Sequence, residues 1–202
     1  MATALTRHLD LGCGEVPRNP YRRQQLFGID IAPRGTPEGG HVVKAGNLAL
    51  QPIPFEDSSF DSVSAYELFE HIPRVLPTAD GSATRLPFVE LMNEVSRVLR
   101  PGGLLYAITP CYPSREAFQD PTHVNIITER THVYFTGDAP LGRMYGFTGH
   151  FHVERVEWVV FNDALMADTR LGLHQRLRRL NYRRKGQLAH LLWEFRCTKP
   201  AG

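Results

Sequence analysis

The segment His8-Leu9-Asp10-Leu11-Gly12-Cys13-Gly14 constrains this chain more than any other. A short alternating run ends in two glycines one residue apart. Glycine lacks the Cβ that would keep a ligand from the backbone, and it reaches positive φ without strain. In open α/β sheets such turns gather at the carboxyl edge of the strands, where ligands bind. About twenty residues later Phe27-Gly28-Ile29-Asp30-Ile31 places an acid at the end of a second strand, suited to accept hydrogen bonds from both ribose hydroxyls. Dinucleotide binders share this pair of features but need a third glycine and a helix N-terminus aimed at a pyrophosphate. Here Glu15, Val16 and Pro17 follow Gly14, and a glutamate beside a pyrophosphate is repulsive. The pattern favours a nucleoside ligand without phosphate.

Around this turn the first half of the chain alternates short apolar runs with polar or helical stretches, the signature of a parallel sheet with crossover helices. Expected strands are Arg7 to Leu11, Leu26 to Ile31, His41 to Ala45, Ser62 to Ala65 and Leu104 to Thr109. The i, i+3, i+4, i+7 rhythm of Phe88, Leu91, Met92, Val95, Val98 and Leu99 predicts a helix over Leu86 to Arg100,. Pro101-Gly102-Gly103 would stop it,. Pro17 and Pro20 leave only a short or late helix, or a loop, between Gly12 and Gln25,. Two late strands, Phe151 to Phe161 and Leu191 to Thr198, are rich in aromatic and apolar residues,. At 202 residues the length favours a single domain. Cys13, Cys111 and Cys197 form no zinc spacing and fit a reducing, cytoplasmic setting,. No apolar run is long enough to span a bilayer.

Further motifs accompany the glycine turn. Pro52-Ile53-Pro54-Phe55-Glu56-Asp57-Ser58-Ser59-Phe60-Asp61 precedes the fourth strand, Glu67 to Ile72 reads Glu-Leu-Phe-Glu-His-Ile, and Arg97 to Gly103 reads Arg-Val-Leu-Arg-Pro-Gly-Gly. In order and spacing, over roughly residues 8 to 110, these resemble the class I S-adenosylmethionine-dependent methyltransferases of the type 11 kind. The resemblance implies a Rossmann-like, doubly wound, three-layer α/β fold. Its mostly parallel seven-stranded sheet would end in an antiparallel edge hairpin. It also implies S-adenosylmethionine as cofactor and S-adenosylhomocysteine as product. By the family pattern Asp10 organises the turn and approaches the methionine ammonium. Gly12, Cys13 and Gly14 supply the turn, Asp30 holds the ribose, and Ile31 lies against the adenine. Asn47, followed by Leu48, stands where the family often has the acid that accepts from the adenine amino group. It can accept through its amide oxygen, without charge assistance. Tyr66 and Glu67 would face the methyl-donor end.

The acceptor side is expected after the fifth strand. Asp120-Pro121-Thr122-His123-Val124 resembles a stretch found there in some relatives. His123 would act as general base, because imidazole titrates near neutrality, with Asp120 orienting its ring; the alternative is a turn built around Pro121. His71 reads first as a packed histidine. His150 and His152 share a strand face but have no evident third ligand, so no metal site is assigned. Cys111 lacks the motifs of cysteine-dependent RNA enzymes. Residues 111–150 and 164–187 are expected to form substrate or lid insertions in the single domain 1–202, and Arg74 to Pro87 is a further lid segment.

Net charge is only +2, yet Thr169 to Gln187 carries seven basic residues and no acid. The remaining 16 basic residues are outnumbered by 21 acidic ones. Leu173, Leu177 and Leu180 at i, i+4, i+7 predict a cationic amphipathic helix,. Its leucines either pack on the body or serve an anionic partner: a phosphorylated or lipid-linked substrate, a membrane surface with the protein peripheral to it, or RNA. The function read from the sequence is methyl transfer to a hydroxyl, in preference to an amine, of a small-molecule or glycan-like acceptor. The alternatives are an RNA methyltransferase gripping through residues 169–187 and a non-catalytic binding protein of the same fold.

Overall fold

A computed structural model describes residues 5–33 and 40–199. Seven strands form one sheet: β1 (Arg7–Leu11), β2 (Gln25–Asp30), β3 (Val42–Ala45), β4 (Phe60–Tyr66), β5 (Leu99–Pro110), β6 (Phe151–Val159) and β7 (His190–Cys197). Their spatial order is β3-β2-β1-β4-β5-β7-β6. The pairs β2–β3, β1–β2, β1–β4 and β4–β5 are parallel. β7 runs antiparallel between β5 and β6. The order reverses between β1 and β4, so the loops leaving these strands part and open a crevice at the carboxyl edge.

Strand alternation gives the sheet two different faces. Leu9, Leu11, Val63, Leu105, Trp193 and Phe195 form one core with helix α1 (Pro87–Val98), which contributes Phe88, Leu91, Met92 and Val95. Each such side chain, fully buried, contributes roughly 1.5–3 kcal/mol. The opposite face carries Tyr66, Tyr106, Ile108 and Leu192 beneath Tyr21, Phe161 and Leu165.

The loop between β1 and β2 contains no helix. Pro17 and Pro20 interrupt it, and Asn19 closes it by bonding Arg23 through both its amide oxygen and its amide nitrogen, each at 2.8 Å. Among the described residues α1 and α2 (Leu173–Arg184) are the α-helices; loops and short 3-10 turns do the rest of the covering. No helix among these residues is long and apolar enough to cross a membrane.

One boundary differs from expectation. α1 ends at Val98, and Pro101-Gly102-Gly103 lies inside β5 instead of terminating a helix. Leu99 pairs with Phe60, and a register shift between Phe60 and Ser62 absorbs the irregular residues. Gly102 adopts φ +78° there, a conformation only glycine takes freely. The strand recruits this segment because Leu99 is fully buried between its neighbours.

Candidate active site

Gly12 and Gly14 both have positive φ, +66° and +62°, and reverse the chain directly after β1. The N–H groups of Gly12 and Cys13 donate to the Ile29 carbonyl at 2.8 and 3.1 Å, tying the turn to β2. The Cys13 side chain turns inward: a Cβ on Gly28 would meet its Sγ at 2.5 Å, and burial pushes its thiol up to about 12. Its part is therefore played by backbone. Gly14 is open, with nothing within 4 Å of where a Cβ would stand.

Asp10 is fully buried. One carboxylate oxygen accepts from Ser64 Oγ and the other from the Arg18 N–H at 2.7 Å. It organises the turn, and both of its oxygens are engaged within the protein. Behind it runs a polar chain that the sequence reading missed. The register sets His8 opposite Ser62 and Asp10 opposite Ser64. His8 Nδ1 lies 2.8 Å from Ser62 Oγ, and His8 Nε2 lies 2.8 Å from Ser64 Oγ. Arg23 Nε donates to Ser62. Since Ser64 donates to Asp10, it accepts from His8 Nε2–H, and His8 Nδ1 accepts from Ser62. Burial, then the nearby Arg23 charge, holds His8 down at about 3. Burial raises Asp10 to about 7 against the pull of its hydrogen bonds. Alternating serines on β4 facing His8 and Asp10 were the available signal.

Asp30 stands half-buried at the end of β2. Its oxygens accept from the N–H groups of Gly14 at 2.9 Å and Ala32 at 3.0 Å, and each keeps a lone pair for a further donor. Ile31 beside it is 70% exposed. The Asn47 amide oxygen accepts from the Ala49 N–H at 3.0 Å, shaping the turn after β3, and Leu48 is buried beneath. Tyr66 points to the opposite face, where its hydroxyl donates to the Leu165 carbonyl at 2.8 Å. Glu67 holds φ +53°, backbone strain of a kind found at functional sites, and its carboxylate lies 2.9 Å from His190 Nε2. Leu68 covers Gly12, its Cδ1 lying 3.0 Å from where a Cβ would be.

Two residues further along the same turn, Glu70 and His71 meet His123. One ligand atom from each lies within 4.8 Å of the other two. Glu70 is 1% exposed; one oxygen accepts from Thr109 Oγ1 at 2.8 Å and the other has no partner. Burial pushes its carboxyl up to about 8. The His123 ring packs edge-on against His71, and its buried Nδ1 is likewise unpartnered. Asp120 makes no hydrogen bond to His123's ring. It accepts from the Thr122 N–H and hydroxyl at 2.8 and 2.7 Å, and Thr122 Oγ1 lies 3.0 Å from His71 Nδ1. His150, just before β6, and His152 on it lie apart from this cluster, with no third ligand beside them among the described residues.

A sheet of this order with one antiparallel strand, and a glycine turn and ribose-height acid at its switch point, defines a Rossmann-like nucleoside-binding protein. Residues 9–107 match the model of a methyltransferase domain family. A search of curated proteins gave no match. Among solved structures, an S-adenosylmethionine-dependent methyltransferase from Mesorhizobium loti is 15% identical with a TM-score of 0.53, over 94% of this chain and 90% of that one. The geranyl diphosphate C-methyltransferase from Streptomyces coelicolor A3(2) is 16% identical with a TM-score of 0.54, over 95% and 71%. The [4+2]-cyclase SpnF is 17% identical with a TM-score of 0.52, over 100% and 77%. The last of these shows that the fold alone does not set the reaction. Residues 9–107 thus match a methyltransferase domain, and the chain shares the fold of S-adenosylmethionine-dependent methyltransferases, which supports S-adenosylmethionine as its cofactor. The site fits that molecule: Gly14 is open, Asp30 keeps lone pairs for two hydroxyls, and Ile31 offers an uncovered apolar face.

Proposed function

We propose that this chain transfers a methyl group to a hydroxyl oxygen, in preference to an amine, of a small or glycan-like acceptor. The observation that carries the reading is the turn after β4. Its Leu68 touches the glycine turn, while its Glu70 and His71 meet His123. One short segment thus joins the cofactor crevice to a cluster of imidazole and carboxyl groups able to take a proton.

When bound, S-adenosylmethionine supplies a methyl carbon activated by its sulfonium. In this reading Asp30 holds the ribose, the Gly12–Gly14 turn seats the amino-acid end, Ile31 and Leu48 bracket the adenine, and Asn47 accepts from its amino group. The Glu70–His71–His123 cluster draws the proton from the acceptor hydroxyl. Asp120 is a positioning residue, acting through Thr122 on His71.

Beside the cluster, a cavity of about 340 Å³ is lined by Arg74, Val75, Phe88, Tyr134, Phe135 and Tyr145. That volume and its aromatic walls suit a small molecule. Arg74 ties its rim to the segment after His123 by donating to Asn125 Oδ1 at 2.7 Å.

A labelled-methyl assay across glycans, phenols, amines and RNA tests this. Label should enter hydroxyl acceptors. His123→Ala should lower kcat/KM by about 100-fold or more with cofactor affinity unchanged. Label confined to amines or RNA, or full turnover by His123→Ala, overturns the acceptor reading.

A further inference from the structure

The cluster after β4 has the form of a metal site. Glu70 presents a buried carboxylate oxygen with no partner, and His123 a buried Nδ1 with none. The third member is oriented for the same purpose. Thr122 Oγ1 donates to Asp120, so it accepts from His71 Nδ1–H, and the lone pair of His71 is left on Nε2,. A hydrogen-bond acceptor on a histidine's far nitrogen fixes tautomer and ring direction in metal-bound histidines; here the Thr122 hydroxyl, itself held by Asp120, is that acceptor. One ligand atom from each of the three residues lies within 4.8 Å of the others. Binding would draw these atoms to about 2.1 Å from one shared ion.

We propose that Glu70, His71 and His123 bind one divalent first-row transition-metal ion at the carboxyl edge of β4. Two imidazoles and one carboxylate suit such ions and leave coordination positions open. The role of the ion rests on the methyltransfer reading: an acceptor hydroxyl brought to it would be acidified and lose its proton to solvent, with His123 then serving as a ligand in place of a base. Binding of the ion does not depend on that reading.

The test uses chelator-treated full chain titrated with Co(II), followed by visible d–d absorption and by calorimetry. One equivalent should bind and give ligand-field bands. His71→Ala, His123→Ala and Glu70→Gln should each weaken binding about tenfold or more, while His152→Ala should not. Asp120→Asn, which keeps the ligands and alters only their support, should weaken binding less. Folding of each variant is checked by circular dichroism. Absence of the bands in wild type, or bands unchanged in both His71→Ala and His123→Ala, overturns the site. Bands without methyl transfer would instead reject the acceptor reading alone.

Helix α2 carries a second proposal independently. It faces the body through Gln175, Arg178 and Arg179, which engage Asp163 and Glu157. Leu173, Leu177 and Leu180 point the other way, 76%, 58% and 45% exposed, so of the two expectations for this ridge, packing on the body is not met. Arg170, Arg176, Arg183, Arg184 and Lys185 make no ion pair among the described residues. An apolar ridge flanked by unpaired cations matches an anionic membrane surface in both apolarity and charge. α2 joins the end of β6 to the start of β7, so it lies at the same sheet edge as the crevice. We propose that it seats the protein on anionic bilayers with this edge toward the lipid.

Sedimentation with vesicles of phosphatidylcholine, with and without phosphatidylglycerol, tests it. Binding should need the anionic lipid and fall about tenfold or more when Leu173, Leu177 and Leu180 become Ser, or when Arg176, Arg183 and Arg184 become Gln. Equal binding to neutral vesicles, no loss in the serine variant, or binding to RNA but not vesicles overturns it.

Discussion

At the scale of single residues, the polar chain behind the glycine turn sets testable limits. His8, Ser62, Ser64 and Asp10 are all fully buried. Ser64→Ala would strip a partner from both His8 Nε2 and Asp10 Oδ1. A loss of about 1–3 kcal/mol in urea unfolding is expected. The pH response separates the two ionisable members. His8 is held near 3 when folded, below its unfolded value of about 6.5. Its contribution is therefore intact above 6.5 and lost as pH falls toward 3. Asp10 is raised to about 7, so folding favours its protonated form. Its contribution declines as pH rises from about 4 to 7. The two oppose each other between pH 4 and 6.5. Asp10→Asn should remove the second slope, so that stability rises relative to wild type by about 1.4 kcal/mol per pH unit in this window. Unfolding midpoints at pH 4.5 and 6.5 give the comparison; parallel curves would show that Asp10 does not titrate there. Asp10 was readable as a turn-organising acid. Its burial was not, because that depends on serines more than fifty residues away.

At the scale of elements, α1 explains why the motif around it has the residues it has. Arg97 spends its guanidinium on the carbonyls of Ile53 and Phe55 and on Glu94 and Asp57, all at 2.7–2.8 Å. It thereby fixes the Pro-rich run that leads into β4. Arg100 similarly holds Asp61 at 2.8 Å, and Asp61 accepts from the Arg7 N–H. Arg97→Lys keeps the charge but not the planar fork. It should destabilise by about 1–3 kcal/mol, read as a fall in melting temperature, with less effect from Arg196→Lys, whose side chain on β7 is exposed. One turn earlier, Asn93 accepts from the N–H groups of Thr148 and Gly149 at 2.7 and 3.2 Å and donates to the Gly146 carbonyl at 2.9 Å. Asn93→Ala should expose the 146–149 segment to proteolysis without unfolding the sheet. Periodicity showed the helix and its buried face. It did not show the helix end, because whether Leu99 caps a helix or joins a strand depends on Phe60 being there to pair with it.

At the scale of the molecule, the carboxyl edge collects the glycine turn, the Glu67–His71 turn, the His123 segment and α2. Saturating S-adenosylmethionine at 100 times its dissociation constant should add about 2.7 kcal/mol of stability. For a chain of this size that raises the melting temperature by roughly 5–10 °C, and NAD should give no shift. A shift with NAD alone would place a different nucleotide at the edge.

The sequence by itself determined the strand–turn–strand cradle, the mostly parallel sheet and the presence of both helices. Each of these is a local pattern written in neighbouring residues. Only the tertiary structure decided that Glu70 and His71 meet His123, that Asp120 supports His71, and that the leucines of α2 face outward. Those relations join segments far apart in the chain, and their geometry is set by strand register and packing, which no local pattern records.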